Sequence, residues 1–261
     1  MHIPHHITSM TDQLVSIITP LYNGERFVAQ TIDSVLAQTY PHWEMIIIND
    51  GSNDHSEAIA LDYAARDPRI KVYSQPNGGS ASARNNGIHR AEGRYIALLD
   101  ADDLWEPHFL QSQLDLMHTH NATLVYGSHK RIDENNCECL TPFVVPPHIT
   151  YTDLLKTCSI SCLTGLYDTS LYGKIYLREE FRSLRDDYIY WLEIIKHCGE
   201  AWGNQEIIGS YRIFTQSVSH NKRKVIKPQF NVYYKVEKLG LIRSLYYLCQ
   251  WAIRGFIKYR K

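Results

Sequence analysis

The alternation of apolar and polar positions divides the chain into two unequal parts. Over the first half, short apolar runs alternate with segments of helical period. Val15 to Thr19 (VSIIT), Glu44 to Asn49 (EMIIIN), Ile70 to Ser74, Tyr95 to Leu99 and Thr123 to Ser128 have the length and content of buried strands. Between them, Glu25 to Thr39 sets Phe27, Ile32, Val35 and Leu36 on one helical face, and Asp54 to Arg66, Ser80 to Arg90 and Pro107 to about His120 read as further helices. Asp54 or Ser52 is available as an N-cap, and Pro107 suits a first helical turn. Strands separated by helices of this length imply right-handed crossovers. The expected fold class is therefore α/β, a Rossmann-like, mostly parallel sheet flanked by helices.

The second half is less regular. Glu134 to Thr150 is polar and contains proline, which predicts a loop or a small antiparallel excursion. Asp187 to His197 is helical, with Tyr188, Trp191, Ile194 and Ile195 on its apolar face, and Ile207 to Phe214 reads as a strand. From Leu241 onward apolar residues fall at 241, 242, 245, 248, 249, 252, 253, 256 and 257, while Arg243, Gln250, Arg254, Lys258 and Lys261 follow the opposite face. This is an amphipathic basic helix, too interrupted by charge to span a bilayer. It suits the membrane interface, with Tyr246, Tyr247 and Trp251 at headgroup level, or packing on its own domain or a second subunit.

Charge sharpens the division. The 261 residues carry a formal net charge of −1, yet from Asn221 onward 11 Lys and Arg face one acid, Glu237, so the last 41 residues carry +10 and the rest −11. Such a split points to a tail that meets an anionic surface, a membrane or nucleic acid. Six cysteines in a chain of this size make no disulfide framework and fit a reduced, cytoplasmic compartment; Cys137 with Cys139 and Cys158 with Cys162 lack zinc-knuckle spacing. The N-terminus has no apolar secretory core. The expected organisation is a flexible extension over residues 1–13, a catalytic unit over 14–220 split near residue 130, and the tail over 221–261.

The candidate chemistry sits where strands end. The run Tyr95 to Leu99 stops at Asp100, Asp102 and Asp103 (RYIALLDADDLW). Clustered carboxylates at the end of a buried strand need compensation, and a divalent cation supplies it. Pro20, Tyr22, Asn23 and Gly24 follow the first strand and Asn49, Asp50, Gly51 and Ser52 the second, so both turns face the same crevice, although turns favour these residues in any case. Asp50 can accept from a base N–H and Tyr22 can stack on a ring. GGSASAR, from Gly78 to Arg84, offers free N–H groups at a helix start, which suit a diphosphate.

The ordered blocks TPLYNGE, NDGSND, NGGSASARNNGI and AEGRYIALLDADD resemble the family 2 glycosyltransferases of GT-A fold over roughly residues 14 to 130. The resemblance implies a metal-binding DXD motif at Asp100 and Asp102, with Asp103 as neighbour. It implies an acidic base contact at Asp50, and a nucleotide site at Pro20, Tyr22, Asn23, Glu25, Gly79, Arg84 and Ala101. The family's acid pair, usually Glu-Asp, falls at Asp186-Asp187, with Asp187 matching the catalytic base; either acid can also cap the following helix. The YR…S.S segment matches Tyr211, Arg212, Ser217 and Ser219, with Arg212 toward phosphate and His220 toward the metal shell. The expected activity is inverting transfer of a hexose from a UDP-sugar, with Mn2+ or Mg2+, to a saccharide acceptor. The family, with the tail, points to a lipid-linked acceptor of a bacterial surface polysaccharide at the inner membrane face, with no nucleic-acid partner and a dimer possible. A sugar-phosphate nucleotidyltransferase and a non-catalytic membrane-associated nucleotide-binding module are the alternatives.

Overall fold

In a computed structural model of the chain, the structure describes residues 13–181, 185–214 and 222–258. The first half folds as its periodicity requires. Strands β1 (Val15–Leu21), β2 (Trp43–Asn49), β3 (Ile70–Ser74) and β4 (Tyr95–Leu98) alternate with helices α1 (Val28–Leu36), α2 (Ser56–Arg66) and α3 (Ser80–Arg90). They pair in parallel in the order β3-β2-β1-β4. After β4 come the two-residue β5 (Leu104–Trp105), α4 (Phe109–His120) and the long β6 (Leu124–Ile132). The excursion predicted over residues 134–150 forms antiparallel β7 (Glu138–Phe143) and β8 (His148–Thr150). Then follow α5 (Tyr151–Lys156), β9 (Leu166–Asp168), α6 (Asp186–Cys198), β10 (Glu200–Arg212), α7 (Lys222–Asn231), a π-helical turn at Val232–Val236 and α8 (Gly240–Lys258).

The sheet continues from β4 through β9, β6 and β10 to β5. The three-residue β9 runs antiparallel between β4 and β6, so β6 and β10 regain the direction of the first four strands. Strands β1, β2 and β4 bury both faces. Val15, Ile17, Met45 and Ile47 pack with Val28, Ile32, Val35, Phe109 and Leu114 of α1 and α4, whereas Ile18, Ile46, Ile96 and Leu98 pack under α3, α5, α6 and the π-turn. Near-continuous apolar runs are what a doubly covered parallel sheet demands.

The tail helix divides its surface between two uses. Ser244, Tyr247 and Leu248 of α8 turn toward the domain, with Ser244 buried and the other two packed against the core. Ile242, Leu245, Tyr246 and Ile253 remain exposed, Ile242 at 85%. Tyr151 Oη donates to Glu237 at 2.5 Å and Lys196 Nζ lies 3.3 Å from the same carboxylate, so the tail's sole acid fastens it to α5 and α6. Among the described residues, no helix is long and apolar enough to cross a membrane.

Candidate functional site

The carboxyl ends of β1, β2 and β4 form one rim of a cleft, and the loops after them are stitched together by hydrogen bonds. Asn23 adopts a left-handed backbone (φ 49°); its N–H donates to Ser52 Oγ at 3.0 Å, and its side-chain oxygen accepts from Asn53 N–H at 2.8 Å. Glu25 accepts from His55 N–H at 3.0 Å, and Asp54 accepts from Glu25 N–H at 3.1 Å. Strand β1 continues two residues beyond its apolar run, so Pro20 lies within the strand opposite Ile48 and Tyr22, 52% exposed, stands at its mouth. The expected cap of α2 is displaced by this stitching, since His55 holds the cap position and Asp54 turns back to Ser56.

Asp50 is buried at the end of β2. Its carboxylate accepts from Gln75 Nε2 and from the Gly78 and Gly79 N–H groups, each at 2.8 Å, and thereby fixes the glycine turn at the start of α3. Arg84, on the buried side of α3, reaches Asp100 at the end of β4 with Nη2 to Oδ1 at 2.5 Å. Its Nη1 lies 4.0 Å from Asp186 Oδ2 in the first turn of α6. Burial opposes the guanidinium's charge, but Asp100 overrides it and keeps Arg84 protonated well beyond its ordinary range.

The acid run turns in two directions. Asp100 and Asp102 are half-buried at the cleft, and burial together with the Asp100 charge pushes Asp102 up to about 6. Asp103 faces inward: it is 2% exposed, accepts the Arg212 N–H at 2.8 Å, and is raised well above the carboxylate range by burial and by Asp102. It leaves the helix start to His108, the residue in the cap position of α4. Arg212 donates to Asp102 O (2.7 Å), Asp133 O (3.0 Å), Asn136 Oδ1 (2.8 Å) and Gln30 Oε1 (3.2 Å), and lies 4.4 Å from the Phe27 ring centroid. The phosphate contact expected of Arg212 is replaced by this clamp, because its guanidinium is taken up by protein acceptors. His220, Ser217 and Ser219 lie outside the described residues.

Helix α6 brings the second acid pair to the same cleft. Neither acid holds the cap position, which Arg185 takes in a left-handed conformation (φ 81°), so Asp186 and Asp187 form the first turn. Asp186 is buried, raised by burial and by the charge of Asp187, and its Oδ2 has no hydrogen-bond donor; Asp187 is half-buried. Convergence is clearest at two neighbours. The Cys162 thiol, buried and raised, feels Arg84, Asp100, Asp186 and Asp187 together, and Tyr211, 40% exposed, feels Asp100, Asp102, Asp103 and Asp187. Cys162 belongs to a segment that sequence reasoning considered only for metal spacing; nothing local in TCSISCLT signals that it passes beneath the cleft. Gly165, at the end of that segment, lets Trp191 of α6 approach so closely that a Cβ would meet its ring at 2.3 Å.

The comparisons with known proteins give the family and the fold. The model of "Glycosyl transferase family 2" matches residues 16–212. A relative from Escherichia coli named UDP-Glc:alpha-D-GlcNAc-diphosphoundecaprenol beta-1,3-glucosyltransferase WfgD is 37% identical over 252 residues, 96% of each chain. In structure the chain is similar to Staphylococcus aureus TarS 1–349 solved with UDP, at TM-score 0.67 and 20% identity over 85% of this chain and 65% of that one. It is also similar to the mannosyltransferase PcManGT of Pyrobaculum calidifontis solved with GDP-Man and Mn2+, at TM-score 0.63 and 15% identity over 90% and 69%. Both likenesses carry the fold, and the expected GT-A architecture is the one observed. An acid run at the end of β4, a glycine turn held by a buried carboxylate and a second acid pair across the cleft occur here on that fold in a chain whose family model spans it from β1 to β10, and so the chain belongs to glycosyl transferase family 2 and is a glycosyltransferase.

Proposed function

We propose that the enzyme is an inverting, divalent-metal-dependent hexosyltransferase that takes a sugar from a UDP-linked donor and passes it to a lipid-linked saccharide in surface-polysaccharide assembly. The observation that carries this reading is the bridge through Arg84, which ties Asp100 at 2.5 Å on one side of the cleft to Asp186 at 4.0 Å on the other. The named chemistry of the relatives supports it: WfgD for a UDP-glucose donor and a diphosphoundecaprenol-linked acceptor, TarS for UDP, and PcManGT for Mn2+.

Residues 14–130 take the donor, 131–220 take the acceptor, and 221–261 attach the enzyme to the inner face of the cytoplasmic membrane. On the donor side, Tyr22 stacks on the base while Pro20, Asn23 and Glu25 shape its pocket, with Asp50 behind them. Gly79, Arg84 and Ala101 approach the diphosphate. The site suits a hard divalent cation: its donors are carboxylate oxygens, and the crowding that lifts Asp102 to about 6 is the crowding a cation relieves. Asp100 and Asp102 would hold the metal, with Asp103 bracing them and His220 available to complete the shell. When bound there, Mn2+ or Mg2+ would supply Lewis-acid neutralisation of the charge on the departing diphosphate. Asp187 takes the proton from the attacking acceptor hydroxyl, help that contributes roughly 100- to 10,000-fold. Asp186 holds Arg84 and fixes the charge beside the base. One displacement with one base inverts the anomeric centre. The exposed apolar face of α8, Ile242 to Ile253, beside basic residues such as Arg243 and Arg254, lies in the membrane interface.

The test is incubation with UDP-Glc, UDP-Gal, UDP-GlcNAc or UDP-GalNAc and Mn2+, with and without chelator. Metal-dependent release of UDP is expected. Release of pyrophosphate from UTP plus a sugar phosphate would identify a nucleotidyltransferase instead. Co-sedimentation with anionic vesicles is expected for the full chain and lost in Ile242→Glu/Ile253→Glu; unchanged sedimentation removes the interfacial helix.

A further inference from the structure

One charged side chain beside the cleft keeps buried N–H groups that meet no acceptor among the described residues. Arg185 opens α6 in a left-handed conformation (φ 81°), an uncommon one for a residue with a side chain. Its Nε and Nη2 are sealed from solvent and donate to no acceptor. Leaving such donors unmet is costly, more so on a charged group. Of the other arginines of the cleft, Arg212 donates to four acceptors, and Arg84 is paired with Asp100 through Nη2, with only its Nε unmet. The guanidinium lies 4.7 Å from the Tyr188 ring centroid and 5.9 Å from that of Trp251 on α8. Aromatic walls of this kind satisfy the faces of a guanidinium and leave its N–H edges to an anion.

We infer that Arg185 is the anchor for the diphosphate of a lipid-linked acceptor, an anion site separate from the donor's. Its surroundings fix the ligand class. Two residues along is Asp187, so base and anchor stand as neighbours, as a ligand with a single sugar between its reacting hydroxyl and its diphosphate requires. Beyond Arg185 is α8, which sets Trp251 toward it and exposes the apolar Ile242, Leu245 and Ile253 on its outer face. Arginine's fork matches phosphate oxygens two at a time. The inference rests on the proposed acceptor class, but its test does not require transfer.

The protein is first saturated with UDP, whose own titration reports the donor site independently. Inorganic pyrophosphate and decyl diphosphate are then titrated in the presence of chelator, read by calorimetry and by tryptophan fluorescence, since Trp251 lies beside the Arg185 guanidinium. The expected result is one further diphosphate per chain, with decyl diphosphate tighter than pyrophosphate, and about tenfold to a hundredfold weaker binding in Arg185→Asn. Asparagine tolerates the left-handed backbone, so this variant keeps the turn. Arg185→Lys is expected to recover part of the affinity, as a point charge without the fork. Absence of a second site in the UDP-saturated protein, or equal affinity in Arg185→Asn with a native unfolding transition, overturns the assignment. Equal affinity for the two probes overturns the lipid-linked part. Failure of UDP to bind counts against the proposed donor rather than against Arg185.

Discussion

The two walls of the cleft differ in how far their polar groups are engaged. On the wall built from β1, β2 and α3, the proposed donor side, the buried Asp50 accepts three N–H groups, and the loops after β1 and β2 exchange donors and acceptors across the gap. On the α6 wall, Asp186 Oδ2, Arg185 Nε and Nη2 and Trp191 Nε1 are buried without hydrogen-bond partners among the described residues, against Thr19 Oγ1 and Arg84 Nε on the other side. A site whose polar groups are already engaged is rigid before its ligand arrives, whereas unmet groups leave part of the recognition to the ligand. On the roles proposed for the two walls, the contrast makes donor recognition preorganised and leaves more of acceptor recognition to the acceptor.

The strongest way to break that comparison is at the base. Asp187→Asn is expected to cut transfer by about 100- to 10,000-fold while UDP titration is unchanged. If turnover persists, the α6 wall has no catalytic part. Next comes Gly165→Ala, whose methyl group would meet Trp191 at 2.3 Å. It should cost about 3 kcal/mol in calorimetry and lower kcat more than it raises donor KM, because α6 carries the acids. A selective donor defect would show instead that the walls are coupled.

Asp50→Asn sharpens the donor side. It turns an amide N–H2 toward the Gly78 and Gly79 donors, and should cost about 2 kcal/mol in chemical denaturation and raise donor KM with little change in acceptor KM. The smallest effect is expected at Glu44, which accepts from Ser16 Oγ (2.6 Å), Glu92 N–H (2.7 Å) and Lys71 Nζ (2.8 Å) beneath the donor half. Burial alone would raise its carboxyl, but these bonds hold it below its usual value. Its stabilisation is therefore present above the unfolded pKa and fades as pH falls through the lower folded one. Glu44→Gln should lose about 1 kcal/mol at neutral pH and flatten the acid limb of a Tm-against-pH profile.

How far each wall could be read from residues follows from the same difference. The strands and helices up to α4 declare themselves because an apolar run of strand length followed by a helical period is a local signal. The acids at the end of β4 were readable because charge against a buried run is anomalous. Strand β9, three residues at Leu166–Asp168, has no period of its own and forms because β4 and β6 offer it two unpaired edges. Likewise β10 begins seven residues before the apolar pattern at Ile207, where partners on β6 and β8 extend it.

By itself the sequence determined the alternation of strands and helices, the cleft at the strand ends, the acids at its rim and the basic, two-sided character of the tail. Each is a property of neighbouring residues, and periodicity or composition expresses it directly. Only the tertiary structure decided that Arg84 joins Asp100 to Asp186, that Arg212 is a clamp, that Cys162 lies under the cleft and that Arg185, between α6 and α8, keeps Nε and Nη2 without an acceptor among the described residues. Those relations join positions tens of residues apart, and whether a buried charge has a partner depends on what the fold places beside it.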